Sequence, residues 1–186
     1  MSADAKAALF AGALCLSTVA GAFDDQSKAI YLEAGRAPHG SASTDSATLG
    51  FVVPWAYGPS VRDGALSFYW DFFLGQWYAE EPSRLGHHSY TQIGAIANWR
   101  YRFSGGASPW FVEAGIGGTV LDGIYRTPNR EFSTAFQFTE QLGFGRSFGP
   151  RGEHELSVRL QHFSNADIKR PNPGENFVRV RYLYRF

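Results

Sequence analysis

The last nine residues of the chain alternate strictly in character. Apolar or aromatic residues stand at every even position from 178 to the C-terminal Phe186, and three of the four odd positions between them are arginines. A period of two is typical of a β-strand that has one apolar face and one polar face. The same alternation recurs along the chain, so the sequence predicts an all-β fold, an eight-stranded antiparallel transmembrane β-barrel.

Eight alternating runs are separated by turn-forming residues. They are predicted at about 29–36, 46–55, 65–78, 89–103, 109–121, 133–147, 155–164 and 177–186. Short connections at 57–64, 104–108 and 148–154 are typical of periplasmic turns. The segments at about 37–45, 79–88, 122–132 and 165–176 are then the four outward loops.

Charged residues within these runs fall on a single parity. Its members are Glu33, Asp71, Arg100, Arg102, Glu113, Arg159, Arg179 and Arg181. The interior of an eight-stranded barrel is just filled by side chains, and buried charges there must be paired. We therefore expect the charged parity inside and the apolar parity against lipid. A soluble sandwich or lipocalin would place its aliphatic residues inside instead.

The first 22 residues are predicted to be a cleaved signal peptide. Lys6 precedes an apolar stretch over 7–20, and Ala20-Gly21-Ala22 has the small-x-small pattern of a cleavage site. The single cysteine, Cys15, lies in this segment, so the predicted barrel over 23–186 contains no thiol. The formal net charge is zero, which gives no indication of a nucleic acid partner.

One pair of residues on the apolar parity has side chains that are suited to catalysis. On the seventh predicted strand, His162 and Ser164 follow Leu156, Val158 and Leu160 on the face that should meet lipid. Residues i and i+2 of a strand lie ~6.5–7 Å apart, so the side chains can meet after small adjustments. Histidine as base and serine as nucleophile is the minimum for acyl transfer. The competing interpretation is that both residues merely anchor the strand at a wet interface.

Residues around this pair resemble a known family. The segments are His162-Phe163-Ser164-Asn165-Ala166, Ile168-Lys169, Pro171-Asn172-Pro173-Gly174, Phe111-Val112-Glu113-Ala114-Gly115-Ile116-Gly117 and Ala135-Phe136-Gln137-Phe138. They are similar to motifs of PagL-type lipid A 3-O-deacylases, eight-stranded outer-membrane barrels of Gram-negative bacteria.

The resemblance implies a serine esterase that hydrolyses the 3-O-linked hydroxyacyl ester of lipid A. Ser164 would be the nucleophile, His162 the base and Asn165 a contributor to the oxyanion hole. Phe138 would line the acyl site. Lipid A or lipopolysaccharide would be the substrate, and the outer membrane the location.

Two positions depart from the family pattern. The family has an acid fourteen residues after the histidine, where this chain has Asn176, and the nearest carboxylate is Glu175. An amide can orient an imidazole, and Glu140 on the outward parity of the sixth strand is a further candidate. Glu175, Asn176 and Glu140 therefore remain alternatives for the third member. Asp167 stands where the family has glycine, and its charge would oppose a developing oxyanion.

The alternative function is that of a non-enzymatic barrel, an OmpX- or OmpA-like structural protein or adhesin. Such a barrel would not account for His162 and Ser164 on the lipid side. We expect no cofactor and no metal, because no histidine, cysteine and carboxylate residues stand at ligand spacing. Whether the barrel forms a homodimer is left open.

Overall fold

The structure, a computed structural model, describes residues 23, 25–38, 42–55 and 65–186. The predicted signal peptide over 1–22 and the predicted turn over 57–64 lie outside these residues. Ten strands occur in the described part. They are β1 (Ala29–Ala37), β2 (Thr44–Pro54), β3 (Leu66–Glu80), β4 (His87–Arg102), β5 (Trp110–Leu121), β6 (Arg126–Thr127), β7 (Arg130–Glu131), β8 (Phe136–Phe148), β9 (His154–Ser164) and β10 (Glu175–Arg185).

Eight of these strands close into one antiparallel barrel. Its order is β1-β10-β9-β8-β5-β4-β3-β2, and β1 pairs with both β2 and β10. The two short strands β6 and β7 form a separate hairpin within the loop that joins β5 to β8. The predicted eight-stranded antiparallel barrel is confirmed. One short 3₁₀ turn (Ser104–Gly106) is described, and no helix in the described part of the chain is long and apolar enough to span a membrane.

The two faces of the strands are sorted as the alternation predicts. Aliphatic side chains on the outward face are widely exposed, for example Leu32 at 64% and Leu142 at 63%. A continuous exposed apolar surface of this kind is stable only in contact with lipid or another apolar partner. The same strands bury their charged residues, with Arg159 and Arg179 each at 1% exposure.

Buried charges in the barrel are paired across strands. Arg179 Nη1 and Arg181 Nε lie 2.9 and 2.8 Å from the carboxylate of Glu33, and Arg181 also reaches Asp71 at 2.8 Å. Further pairs join Arg100 to Glu113 and Glu155, Arg159 to Glu113, and Arg185 to Glu155. Removing one member of such a pair leaves its partner's charge uncompensated in a medium of low dielectric, which destabilises the fold.

An aromatic cluster fills the barrel end that carries the β5–β8 and β9–β10 loops. Trp77 is fully buried at its centre, with Tyr125, Phe163 and Phe177 at ring-centroid distances of 5.1, 4.9 and 4.8 Å. Phe163 and Phe177 come from β9 and β10, the strands that present the candidate site on their opposite face.

Candidate active site

His162 lies on the outward face of β9, close to the loop 165–174. Its register partners are Glu140 on β8 and Asn176 on β10. His162 Nδ1 is 2.7 Å from Asn176 Oδ1. An amide oxygen can only accept a hydrogen bond, so this contact places the imidazole proton on Nδ1. The lone pair is then on Nε2, which can act as a base.

Ser164 follows two residues later on the same face of β9. Its register partner on β8 is Phe138, and both side chains are half-buried. Phe138 therefore lies beside Ser164 on the neighbouring strand. No hydrogen bond joins Ser164 to His162 in the described residues, and substrate-free sites often hold such pairs loosely.

Glu175 faces the opposite side of the sheet from His162. β10 already begins at this residue, so its odd parity turns the carboxylate into the barrel, where it is fully buried. Tyr125 donates its hydroxyl to Glu175 Oε2 at 2.8 Å, and the backbone N–H of Asn176 donates to Oε1 at 2.9 Å. Of the two neighbouring candidates, the structure brings Asn176 to the imidazole and not Glu175.

Glu140 shares the outward face with His162 and is exposed. It lines an open groove of about 690 Å³ together with His162 and Asn176. Leu142, Leu160 and Val178 form apolar walls of this groove. A carboxylate on a lipid-facing surface is costly unless a partner or water meets it. Directly opposite His162, Glu140 stands where a positive charge on the imidazole would stabilise it.

Asn165 is buried, and its donors are engaged. Its side-chain Nδ2 donates to Ser133 Oγ at 2.9 Å and to the Lys169 carbonyl at 2.8 Å. Its backbone N–H donates to Asn172 Oδ1 at 3.0 Å. In this conformation Asn165 therefore ties the loop together. A contact from Asn165 to an oxyanion requires one of these hydrogen bonds to be exchanged when substrate binds.

The carboxylate of Asp167 is held within the loop. Arg170 Nη2 and Asn172 Nδ2 each donate to it at 3.3 Å. Ala166 and Asp167 both have positive φ angles, 53° and 60°, a conformation that costs energy for residues other than glycine. The neighbouring guanidinium offsets part of the negative charge that sequence comparison marks as unusual here.

Two residues make contacts at the site that the sequence did not predict. Gly174 is one of them: a Cβ built on it would lie 2.7 Å from His162 Cε1. Arg130 is another, because it donates to the Pro173 and Gly174 carbonyls. Neither contact follows a strand period, so neither leaves a signal in the alternation. Within the described ranges, no cluster of three or more histidine, cysteine or carboxylate residues is arranged to hold a metal.

A family model matches residues 45–185 of this chain, and its description is lipid A 3-O-deacylase (PagL). The lipid A deacylase PagL of Bordetella bronchiseptica is 33% identical over 141 residues, which cover 75% of each chain. The lipid A deacylase PagL of Pseudomonas aeruginosa is 28% identical over 138 residues, covering 73% of this chain and 76% of the relative.

Solved structures share the fold. The crystal structure of the outer membrane enzyme PagL has a TM-score of 0.64 at 23% identity, covering 85% of this chain and 99% of that one. Neisserial surface protein A has a TM-score of 0.51 at 10% identity, covering 86% of this chain and 96% of that one. At these identities the two structures support the barrel architecture alone.

Proposed function

The chain belongs to the lipid A 3-O-deacylase (PagL) family, and from this premise we propose that Ser164 and His162 carry its ester hydrolysis. The activity is deacylation of lipid A at the 3-position, and the location is the outer membrane. The alternative of a structural barrel or adhesin without activity is not favoured, because the family match covers most of the barrel.

The observation that carries the proposal is the hydrogen bond of 2.7 Å between His162 Nδ1 and Asn176 Oδ1 on the lipid-facing surface. It supports a base at Nε2 on the side of the barrel where the acyl chains of a lipid lie. The apolar groove beside His162 supports the same assignment, since the acyl chain of the bound ester can lie along Leu142 and Leu160.

In the first half of the reaction, His162 Nε2 takes the Ser164 proton while Oγ attacks the ester carbonyl carbon. The tetrahedral intermediate carries its negative charge on the former carbonyl oxygen. Donors in the turn after β9 are expected to bind this oxyanion, with Asn165 as the candidate side chain. Collapse breaks the bond to the sugar oxygen, which leaves as the 3-hydroxyl with the proton from His162.

In the second half, water replaces the sugar. His162 Nε2 takes a proton from water, the resulting hydroxide attacks the acyl-Ser164 carbonyl, and the fatty acid leaves as Ser164 regains its proton. Asn176 holds the Nδ1 proton in place through both halves. As a neutral amide it orients the imidazolium without attracting its charge, so Asn176 supplies less stabilisation than a carboxylate would.

Mass spectrometry of lipid A from cells that express the chain tests the proposal. The wild type should remove one hydroxyacyl group, and the Ser164→Ala variant should leave lipid A intact. Both barrels must first be shown to be folded in the outer membrane by their heat-modifiable migration in SDS gels. Deacylation that persists in the folded Ser164→Ala variant would rule out Ser164 as the nucleophile.

A further inference from the structure

Hydrogen bonds join the β6–β7 hairpin to the segment that leads into β10. Arg130 Nη1 donates to the Pro173 carbonyl at 2.9 Å and to the Gly174 carbonyl at 2.6 Å. Arg130 Nε also lies 4.0 Å from the Glu175 carboxylate. Hydrogen bonds from an ionised donor are about twice as strong as neutral ones. One side chain of the β5–β8 loop therefore fixes two successive carbonyls of the β9–β10 loop.

A second hydrogen-bonded contact between the same two loops lies just inside the barrel. Tyr125, from the same β5–β8 loop, donates to the buried Glu175, and its hydroxyl also lies 2.6 Å from Thr44 Oγ1. Burial raises the pKa of Tyr125, and the charge of Glu175 raises it further. The hydroxyl thus keeps its proton and remains a donor throughout the physiological pH range.

These two contacts hold the segment 173–175, which adjoins the imidazole of His162. Gly174 packs against its Cε1 and Nε2 edge, where a Cβ would lie 2.7 and 3.3 Å from these atoms. Asn176 binds Nδ1 on the other edge. Gly174 and Asn176 therefore contact His162 on two edges of its ring. Contacts with the β5–β8 loop hold the backbone of this segment in place.

We propose that Arg130 is a positioning residue for hydrolysis, which holds Gly174 and Asn176 so that His162 Nε2 is aimed at Ser164. The inference rests on the proposed function. The position of the His162 ring matters especially in this chain. The neutral amide of Asn176 exerts no charge attraction that would draw a displaced imidazolium back into place. Displacement of a catalytic group by about 1 Å can cost on the order of 100-fold in rate.

The test uses the full mature barrel, purified and reconstituted with lipid A, and compares Arg130→Ala and Arg130→Lys with Arg126→Ala. Arg126 is the matched control, because it lies in the same hairpin but pairs with the exposed Glu131 at 2.8 Å. Arg130→Ala should lower kcat by about 10- to 100-fold with KM nearly unchanged. Arg130→Lys, which keeps a cationic donor, should recover part of the loss, and Arg126→Ala should match the wild type.

A spectroscopic signal separates positioning from general stability. The proton on His162 Nδ1, in a hydrogen bond whose Nδ1 to Oδ1 distance is 2.7 Å, should give a downfield proton resonance that disappears in a His162→Gln variant. This resonance should broaden or shift in folded Arg130→Ala and persist in Arg126→Ala. It can also be read in the Ser164→Ala background, so it does not depend on turnover.

Each outcome bears on the inference. Wild-type kcat and an unchanged resonance in Arg130→Ala would overturn it. A raised KM with unchanged kcat would also overturn it, by assigning Arg130 to substrate binding. If Arg130→Ala does not fold, the same reading is taken from Arg130→Lys. Failure of the proposed function looks different, because deacylation would then survive Ser164→Ala or be absent from the wild type.

Discussion

Asn176 Oδ1 accepts a hydrogen bond from His162 Nδ1 across the β9–β10 pair, 2.7 Å away on the lipid-facing side of the barrel. From the family resemblance of the sequence, we expect an acid at this position. The amide preserves the tautomer that a base needs, and it lacks the charge that would stabilise the imidazolium formed during attack. Under the proposed mechanism, this contact therefore orients the base without adding charge stabilisation.

Replacing Asn176 tests the contact directly. Asn176→Ala removes the acceptor and should lower kcat by about tenfold or more, since the imidazole is no longer oriented. Asn176→Asp keeps the shape, adds a charge and should raise kcat by about tenfold, because charge-assisted hydrogen bonds are stronger. The measurement is single-turnover release of the hydroxyacyl group. An aspartate variant no faster than the wild type would contradict this account.

Glu140 is expected to supply part of the missing charge from the other side of the imidazole. It is opposite His162 in register, where cross-strand Cβ atoms lie about 4.5–5.5 Å apart. Glu140→Gln should therefore lower kcat several-fold in the wild-type background and less in the Asn176→Asp background. A double-mutant cycle on kcat measures the coupling. Equal effects in both backgrounds would show that Glu140 acts independently of the charge at 176.

Strand parity could be predicted because a period of two decides the face of every residue once a strand is recognised. It correctly placed Glu33 and Arg179 inside, and His162 on the outward face. It could not choose between Glu175 and Asn176, because that choice depends on where β10 begins. A strand start two residues earlier than predicted turns Glu175 inward and brings Asn176 level with His162.

Loop contacts were beyond the alternation altogether. Arg130 meets Gly174 over 44 positions of sequence, and Asn165 meets Ser133 over 32. Such contacts are fixed by how two loops fold over the barrel end, where no period applies. The family resemblance identified Asn165 as important, yet only the structure displays the hydrogen bonds that occupy its donors.

Gly174→Ala should damage catalysis through a collision with the imidazole. The added Cβ would lie 2.7 Å from His162 Cε1, on a residue whose φ is +65°. Gly105→Ala is the matched control, because Gly105 has φ +64° and nothing within 4 Å of its added Cβ. Both variants should lose a similar, small amount of stability, while only Gly174→Ala should lose kcat. Equal kcat values for the two variants would contradict contact between Gly174 and the imidazole.

Asp25 is expected to stabilise the barrel in a pH-dependent way. Its carboxylate lies 3.1 Å from Arg100 and 2.7 Å from Arg102 at one end of the charged interior. Burial alone would raise the pKa of Asp25, but the attraction of Arg100 and the hydrogen bond from Arg102 outweigh it and hold the pKa below the ordinary 3.8. Because the folded pKa is depressed, the stabilisation is complete above about pH 4 and declines as the pH falls further.

Asp25→Asn should accordingly lower the free energy of unfolding by about 2 kcal/mol at pH 7, since it removes a carboxylate charge that contacts the buried guanidinium groups of Arg100 and Arg102. The difference from the wild type should shrink progressively below about pH 4. Urea unfolding in bilayers, followed by tryptophan fluorescence at several pH values, measures both quantities. Asp122→Asn, at an exposed loop position, is the control and should be neutral throughout. A difference for Asp25→Asn that persists undiminished at pH 2 would mean that packing, and not charge, accounts for the stabilisation.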